Sequence, residues 1–171
     1  MGNTKQTGER LDNIGSILQT STSGSTLVRM VLQRKAHRDV STIGPKASVY
    51  DALHLMATRN IGALIVMDGD RVTGVISERD YARKVILAGK ASRETRVEEI
   101  MGTPAVTVTP ATTVAECMAL MTSRFLRHLP VVEEGSLVGL VSIGDIVKSL
   151  FEEQEQRIGK MEAYISGGYP A

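Results

Sequence analysis

Two short runs have residue types and spacing that could do chemistry, Ser77-Glu78-Arg79-Asp80 and Ser142-Ile143-Gly144-Asp145. Each sets a hydroxyl three residues before a carboxylate, directly after a β-rich run and at the start of a helical one. A carboxylate so placed can accept a hydrogen bond from both hydroxyls of a vicinal diol, and charge-assisted bonds are the stronger kind. The serine hydroxyl, together with the free N–H groups and the positive dipole end of the helix, can hold an anionic oxygen. The same pattern is also a helix cap with an acid at the third position, which any helix would use. The two runs sit in unequal surroundings. Arg79, Arg83 and Lys84 add positive charge beside the first, whereas the second has Gly144 and, later, Lys148. Arg127-His128 precede Leu129-Pro130 in the second half, where the first half has Gly62-Ala63.

These groups do not add up to a catalyst. His37, His54 and His128 have no metal-like spacing among themselves or with Cys117. There is no Gly-Lys-Ser/Thr phosphate loop and no G-x-G-x-x-G. Glu78 and Asp80 are neighbours two apart, which point away from each other on a helix. A non-enzymatic protein is expected.

The elements that position these residues are written twice. A shift of 65 positions lays Pro45 on Pro110, Val49 on Val114, Met56 on Met121, Leu64 on Leu129, Gly74 on Gly139, Ser77 on Ser142 and Asp80 on Asp145. The register holds without a gap from about Val40–Tyr81 to Ala105–Ile146, so the chain contains a duplication. Each copy begins with a short β-rich piece, Val40–Ile43 or Val106–Val108, that stops at a proline. A helix follows, capped by Ser48 or by Thr112/Thr113, with apolar residues at Val49, Ala52, Leu53 and Met56 or Val114, Cys117, Met118 and Met121. Then come a strand (63–67 or 129–132), a glycine turn (68–70 or 133–135), a second strand (72–76 or 137–141) and a last helix. The order is β-α-β-β-α, an α/β fold of the α+β type.

The flanks differ. Residues 1–25 hold a weak helical pattern (Leu11, Ile14, Ile17, Leu18) and a Ser/Thr/Gly run that reads as a flexible connection. Thr26 to Lys35 predicts a short helix leading into the first repeat, with Leu27, Met30 and Val31 on one face. The expected organisation is therefore 1–25, an N-terminal segment; 26–90, the first repeat; 91–150, the second; and 151–171, a helical extension. The helical pattern runs from Gly144 or Asp145 to about Ile165, and its apolar residues from Val147 onward need some surface to cover. Ser166-Gly167-Gly168 is expected to end it.

Composition bounds the rest. The 171 residues are 42% hydrophobic, 23% charged and 4% aromatic with no Trp, as in a globular protein with an aliphatic core. A net charge of +1 speaks against a broad nucleic-acid-binding surface. Cys117 is alone, so no internal disulfide forms, and it reads as core. No apolar run is long enough to span a bilayer or to serve as a secretory signal. The opening MGNTKQT lacks the hydroxyl residue that a myristoylation motif needs at its sixth position. A cytoplasmic protein without membrane contact is expected.

The starting V-S-T-I-G-P, the segment R-H-L-P-V-V, and the endings G-V-I-S-E-R-D-Y and G-L-V-S-I-G-D-I resemble the cystathionine β-synthase (CBS) domain, over about Gln33 to Leu150. No enzyme domain fits in the flanks, so the chain looks like a stand-alone CBS pair. The resemblance implies two repeats packed by their sheets, with two clefts related by a pseudo-two-fold axis, and a homodimer. It implies regulatory binding of an adenosine-containing ligand, with AMP first and then ATP, ADP or NAD. Basic residues near Asp80 favour phosphates over the cationic sulfonium of S-adenosylmethionine. Carried onto this sequence, Asp80 and Asp145 would hold ribose, and Ser77, Ser142, Arg79, Arg127 and His128 phosphate. Thr42 and Thr107 would touch adenine or phosphate, with Val40, Ile43, Ala63 and Val106 as apolar walls. Arg127 and His128 are expected to serve the Asp80 cleft, while small Gly62 and Ala63 leave room in the Asp145 cleft. The unknown effector protein is not visible in the sequence. An assembly protein with empty clefts is the alternative, and a nucleic-acid binder a third.

Overall fold

The structure, a computed structural model, describes residues 26–35 and 40–166. The N-terminal pattern at Leu11–Leu18, His37 and the Gly167-Gly168 end lie outside the described residues. Helix α1 (Val28–Arg34) is followed by strand β1 (Thr42–Ile43), α2 (Val49–Arg59), β2 (Ala63–Asp68), β3 (Arg71–Ser77) and α3 (Glu78–Tyr81). A π-helical turn, Ala82–Ile86, continues α3. After it come α4 (Val97–Ile100), α5 (Val114–Arg124), β4 (His128–Glu133), β5 (Ser136–Ser142) and α6 (Ile143–Ser166).

Each copy forms its own sheet. In the first, β1 lies parallel to β2, and β2 pairs antiparallel with β3. The hairpin β4–β5 repeats that register residue for residue, with a bulge at Val131/Val132 where the first has one at Val66/Met67. The hairpin turns place Gly69, Glu134 and Gly135 at positive φ (59°, 49° and 81°), as a two-residue loop between twisted strands requires. The expected first strands are shorter than the sequence suggested. Only Thr42–Ile43 form a ladder, and in the second copy the Val106–Val108 piece makes a single bridge, Val108 to Val131. Thr42 and Thr107 are both exposed. The two sheets meet where β3 contacts β5.

The central helices form where the spacing placed them. Ser48 accepts from the Asp51 N–H to cap α2, and Thr113 with Glu116 forms a reciprocal capping box on α5. That box holds the Glu116 carboxyl below its usual range, through the backbone and hydroxyl bonds of Thr113. Val49, Ala52 and Met56 are buried on α2, and Val114, Cys117 and Met121 on α5. Burial, with Glu116 beside it, pushes the Cys117 thiol up to about 11, so it stays a protonated core group.

The two cores exchange segments. Helix α1 precedes the first repeat, yet Val28 and Val31 are buried in the core of the second, with Val114, Cys117, Leu129 and Val141. Helix α4 precedes the second repeat and buries Val97 and Ile100 in the core of the first, with Val49, Leu64 and Ile76. The backbone records the same exchange. Val114 N–H donates to Thr26 O (2.9 Å) and Val28 N–H to Thr112 O (2.9 Å), while Val49 N–H donates to Thr95 O (2.9 Å) and Val97 N–H to Ala47 O (2.9 Å). Division at residue 90 therefore follows chain order but not packing. The face of α1 also differs from expectation: Val28 and Val31 are buried and Met30 is exposed. Its partner lies on the second repeat, so the helix is turned towards that surface.

Both central helices end on a left-handed residue, Asn60 (φ 51°) and Phe125 (φ 55°). Asn tolerates that conformation and Phe does not. Phe125 is 81% exposed, so little packing opposes the conformational strain. Phe125→Asn is expected to stabilise the fold by about 0.5–1 kcal/mol, visible as a small rise in melting temperature by calorimetry.

Candidate functional site

Ser77 and Ser142 close their strands and cap the helices that follow. Ser77 Oγ accepts from Asp80 N–H, and Asp80 Oδ2 accepts from Ser77 N–H (3.1 Å) and Ser77 Oγ–H (2.6 Å). The second copy repeats this: Asp145 Oδ2 accepts from Ser142 N–H (2.7 Å) and Oγ–H (2.8 Å). The capping role is thus fulfilled in both halves.

What remains of each carboxylate differs. Asp80 Oδ1 pairs with Lys84 Nζ at 3.0 Å, one turn along the same helix, and Lys84 also donates to Ile100 O. Asp145 instead receives Lys35 Nζ at 2.8 Å, again on Oδ2, leaving Oδ1 without a hydrogen-bond partner among the described residues. Burial pushes the Asp145 carboxyl up, but the Lys35 and Ser142 hydrogen bonds and the Lys35 charge outweigh it and hold it below the usual value.

Lys35 arrives from the end of α1, the exchanged helix, and also donates to Leu140 O at 2.9 Å. At the matching point of the first repeat, the edge of β3 is closed by backbone: Val75 and Gly102 exchange N–H···O bonds of 3.2 and 2.8 Å. A side-chain ammonium in place of a paired strand leaves the β5 edge less covered, and a cavity of about 480 Å³ lies there. It lies between the repeats. Val40, Ser41, Ile61, Gly62 and Ala63 come from the first, and His128, Val138, Leu140 and Ser142 from the second, with Leu32 and Lys35 from the exchanged helix. Its walls are mainly aliphatic, and Lys35, His128, Ser41 and Ser142 supply the polar groups. A volume of this size with few polar groups is that of a small-molecule site. A second cavity of about 330 Å³ shares Lys35 and adds Arg34, Asp145, Lys148 and Glu152. Asp145 thus sits beside the larger space, across the Lys35 ammonium.

Of the expected residues, Val40, Ala63, His128 and Ser142 line the larger cavity together. Gly62 and Ala63 face the space on the Ser142 side. His128 does too, and the charges of both Asp145 and Asp80 act on it. Arg127 has an exposed side chain, and its carbonyl accepts from Ile143 N–H at 2.8 Å. Arg79 is half-buried in the first turn of α3, while Ile43 and Val106 pack against the two cores. Lys35, Ser41, Ile61, Val138 and Leu140 were not foreseen in the sequence.

Burial lowers the His128 pKa, Asp145 and Asp80 raise it, Lys35 and Arg127 lower it, and the net is a fall below 6.5. A lowered folded value means that the neutral ring contributes stability above pH ~6.5, which is lost as pH falls through the folded value. Melting temperature is therefore expected to drop faster between about pH 7 and 5 in the wild type than in His128→Gln, followed by calorimetry across that range.

Duplicated sheets, exchanged helices and paired Ser-x-x-Asp caps define a tandem repeat module, and comparison with known proteins agrees. A family model described as CBS domain matches residues 31–86 and 97–152. The chain belongs to the CBS-domain family, as two repeats of it, and proteins built from such pairs are generally regulatory. It is 42% identical over 127 residues to the CBS domain-containing protein CBSX3, mitochondrial, of Arabidopsis thaliana, covering 71% of this chain and 62% of that one. The solved structure of a CBS-domain protein from Burkholderia ambifaria shares 50% identity, covers 75% of this chain and 96% of its own, and superposes with a TM-score of 0.72. A hexameric CBS-CP12 protein from bloom-forming cyanobacteria shares 28% identity over 84% of this chain and 83% of its own, with a TM-score of 0.66. Among the described residues, no helix is long and apolar enough to cross a membrane.

Proposed function

We propose that this protein is a cytoplasmic, homodimeric regulatory module that binds an adenosine-containing nucleotide, AMP first and then ATP, ADP or NAD, and performs no catalysis. The observation that carries the reading is the 480 Å³ cavity between the repeats, apolar along its walls and bordered at one side by Ser142, Lys35 and His128. A purine would fill the aliphatic part, ribose hydroxyls would approach the open Oδ1 of Asp145, and an anionic phosphate would find Lys35 and His128. Lys35 would then trade part of its hold on Asp145 for the ligand. Because Lys35 ends α1, and α1 is packed into the second core, occupancy would be felt along α1 and the start of α6. An effector protein could read that movement. The Arabidopsis relative carries a mitochondrial name, which is a statement about that protein's compartment.

The assembly reading has one observation in its favour: both Ser-x-x-Asp pairs are satisfied as capping boxes, and Lys35 already occupies one oxygen of Asp145. A thermal-shift panel of AMP, ADP, ATP, NAD, NADH and S-adenosylmethionine separates the two. A ligand at ~100 times its dissociation constant adds about 2.7 kcal/mol to the folded state. For a chain of this size that is roughly 5–11 °C. A selective rise with one adenylate supports the sensor, whereas no rise with any supports the assembly protein.

A further inference from the structure

Helix α6 runs for 24 residues, and its buried side chains are confined to its first part. Ile146 and Ser149 are buried and Leu150 packs against the second core, but every described side chain from Gln154 to Ile165 is exposed. An isolated helical stretch of about a dozen residues is marginal in water, and an exposed apolar stripe on it gains from being covered. Val147, Phe151, Gln154, Ile158, Met161 and Ile165 follow one another at intervals of four, three, four, three and four residues. That is the seam of a left-handed coiled coil, which averages 3.5 residues per turn where a globular helix face averages 3.6. The aliphatic end of the stripe is well exposed, with Ile158 at 55%, Met161 at 65% and Ile165 at 79%.

We propose that this stripe is the contact between two copies of the chain, whose α6 helices pair in parallel with Gln154 facing Gln154. The single polar residue decides the orientation. In a parallel pair the two amides meet and can bond to each other, which fixes register as one buried amide does in coiled coils. In an antiparallel pair centred on the same stripe, Gln154 faces Ile158, and each amide is buried without a partner, which is unfavourable. Nucleotide binding plays no part in this inference. It deepens only the homodimer of the preceding reading, by naming its surface.

The test uses the full chain in three forms. Sedimentation equilibrium of the wild type is expected to give twice the 18.5 kDa chain mass. The double substitution Ile158→Glu/Met161→Glu is expected to weaken association at least a hundredfold while leaving the melting temperature of the body and any nucleotide shift unchanged. Under mild oxidation Ile165→Cys is expected to form a disulfide-linked dimer, since a parallel pair brings the two positions together and the native Cys117 is buried. A monomeric wild type overturns the proposal. So does a double variant that keeps the dimer mass, or an Ile165→Cys protein that stays uncrosslinked, as in an antiparallel pair. The nucleotide shift measured on the same samples reports the ligand reading separately.

Discussion

Gly74→Ala is expected to destabilise the protein by about 2–3 kcal/mol and Gly139→Ala by about 1 kcal/mol or less, although the two glycines are equivalent in the duplication. Both lie where an exchanged helix leans on a strand, and neither has space for a methyl group. At Gly139 the added Cβ would meet the end of Leu32, with Cδ2 at 2.7 Å and Cδ1 at 2.8 Å, a flexible tip that can rotate away. At Gly74 it would meet Met101 Sδ at 2.7 Å and also the backbone carbonyl of Gly102 at 2.8 Å. That carbonyl is held in the bridge to Val75 and cannot move without breaking the pairing. Overpacking of this kind is relieved only by a backbone shift, which for a chain of this size lowers the melting temperature by about 4–12 °C. Calorimetry of the two variants is the measurement. Equal losses would mean that the Val75–Gly102 bridge does not constrain the strand edge.

The second large effect concerns Asp145. Asp145→Asn keeps the size of the side chain and an oxygen for the cap, but removes the charge that the Lys35 ammonium and a ribose diol would share. Hydrogen bonds to a charged group contribute about 1.5–3 kcal/mol each, so AMP affinity is expected to fall about 10- to 100-fold. Asp80→Asn should cost the cavity much less, because Asp80 lies on the other repeat and its free oxygen is already taken by Lys84. Isothermal titration of the two variants against wild type checks this. A greater loss for Asp80→Asn would relocate the site to the other cleft.

The duplication made most of the fold legible. Pro45 on Pro110, Gly74 on Gly139 and Ser77 on Ser142 kept turn, close approach and cap in step, and the hairpin registers follow them. The exchange of helices was harder to see, because it obeys a different offset. Thr26, Val28, Val31 and Leu32 match Thr95, Val97, Ile100 and Met101 at 69 positions, not 65. The buried threonines at 26 and 95 and the two glycine contacts are the physical trace of that second repeat. That offset makes α1 and α4 equivalent, and each packs on the core of the other repeat. Packing of α1 on the second core brings Lys35 to Asp145, which spacing along the chain gives no reason to connect. The acids and serines were legible as helix starts, because local capping chemistry sets them. The cavity walls were not, because Ile61, Val138 and Leu140 look like any strand or core residue until two sheets face each other. His128 lines the space beside Ser142 while the charges of both Asp145 and Asp80 reach it, a position between the repeats that chain spacing does not give.

The most direct test is titration of AMP into the wild type and Gly62→Phe by isothermal calorimetry. Gly62 lines the cavity, and a Cβ there meets nothing closer than Glu78 Oε2 at 3.5 Å, so the ring can enter the space without disturbing either core. Saturable binding to the wild type, reduced at least tenfold in Gly62→Phe at an unchanged melting temperature, is the result predicted. No binding to the wild type, or equal binding to both, would contradict the placement of a nucleotide between the repeats.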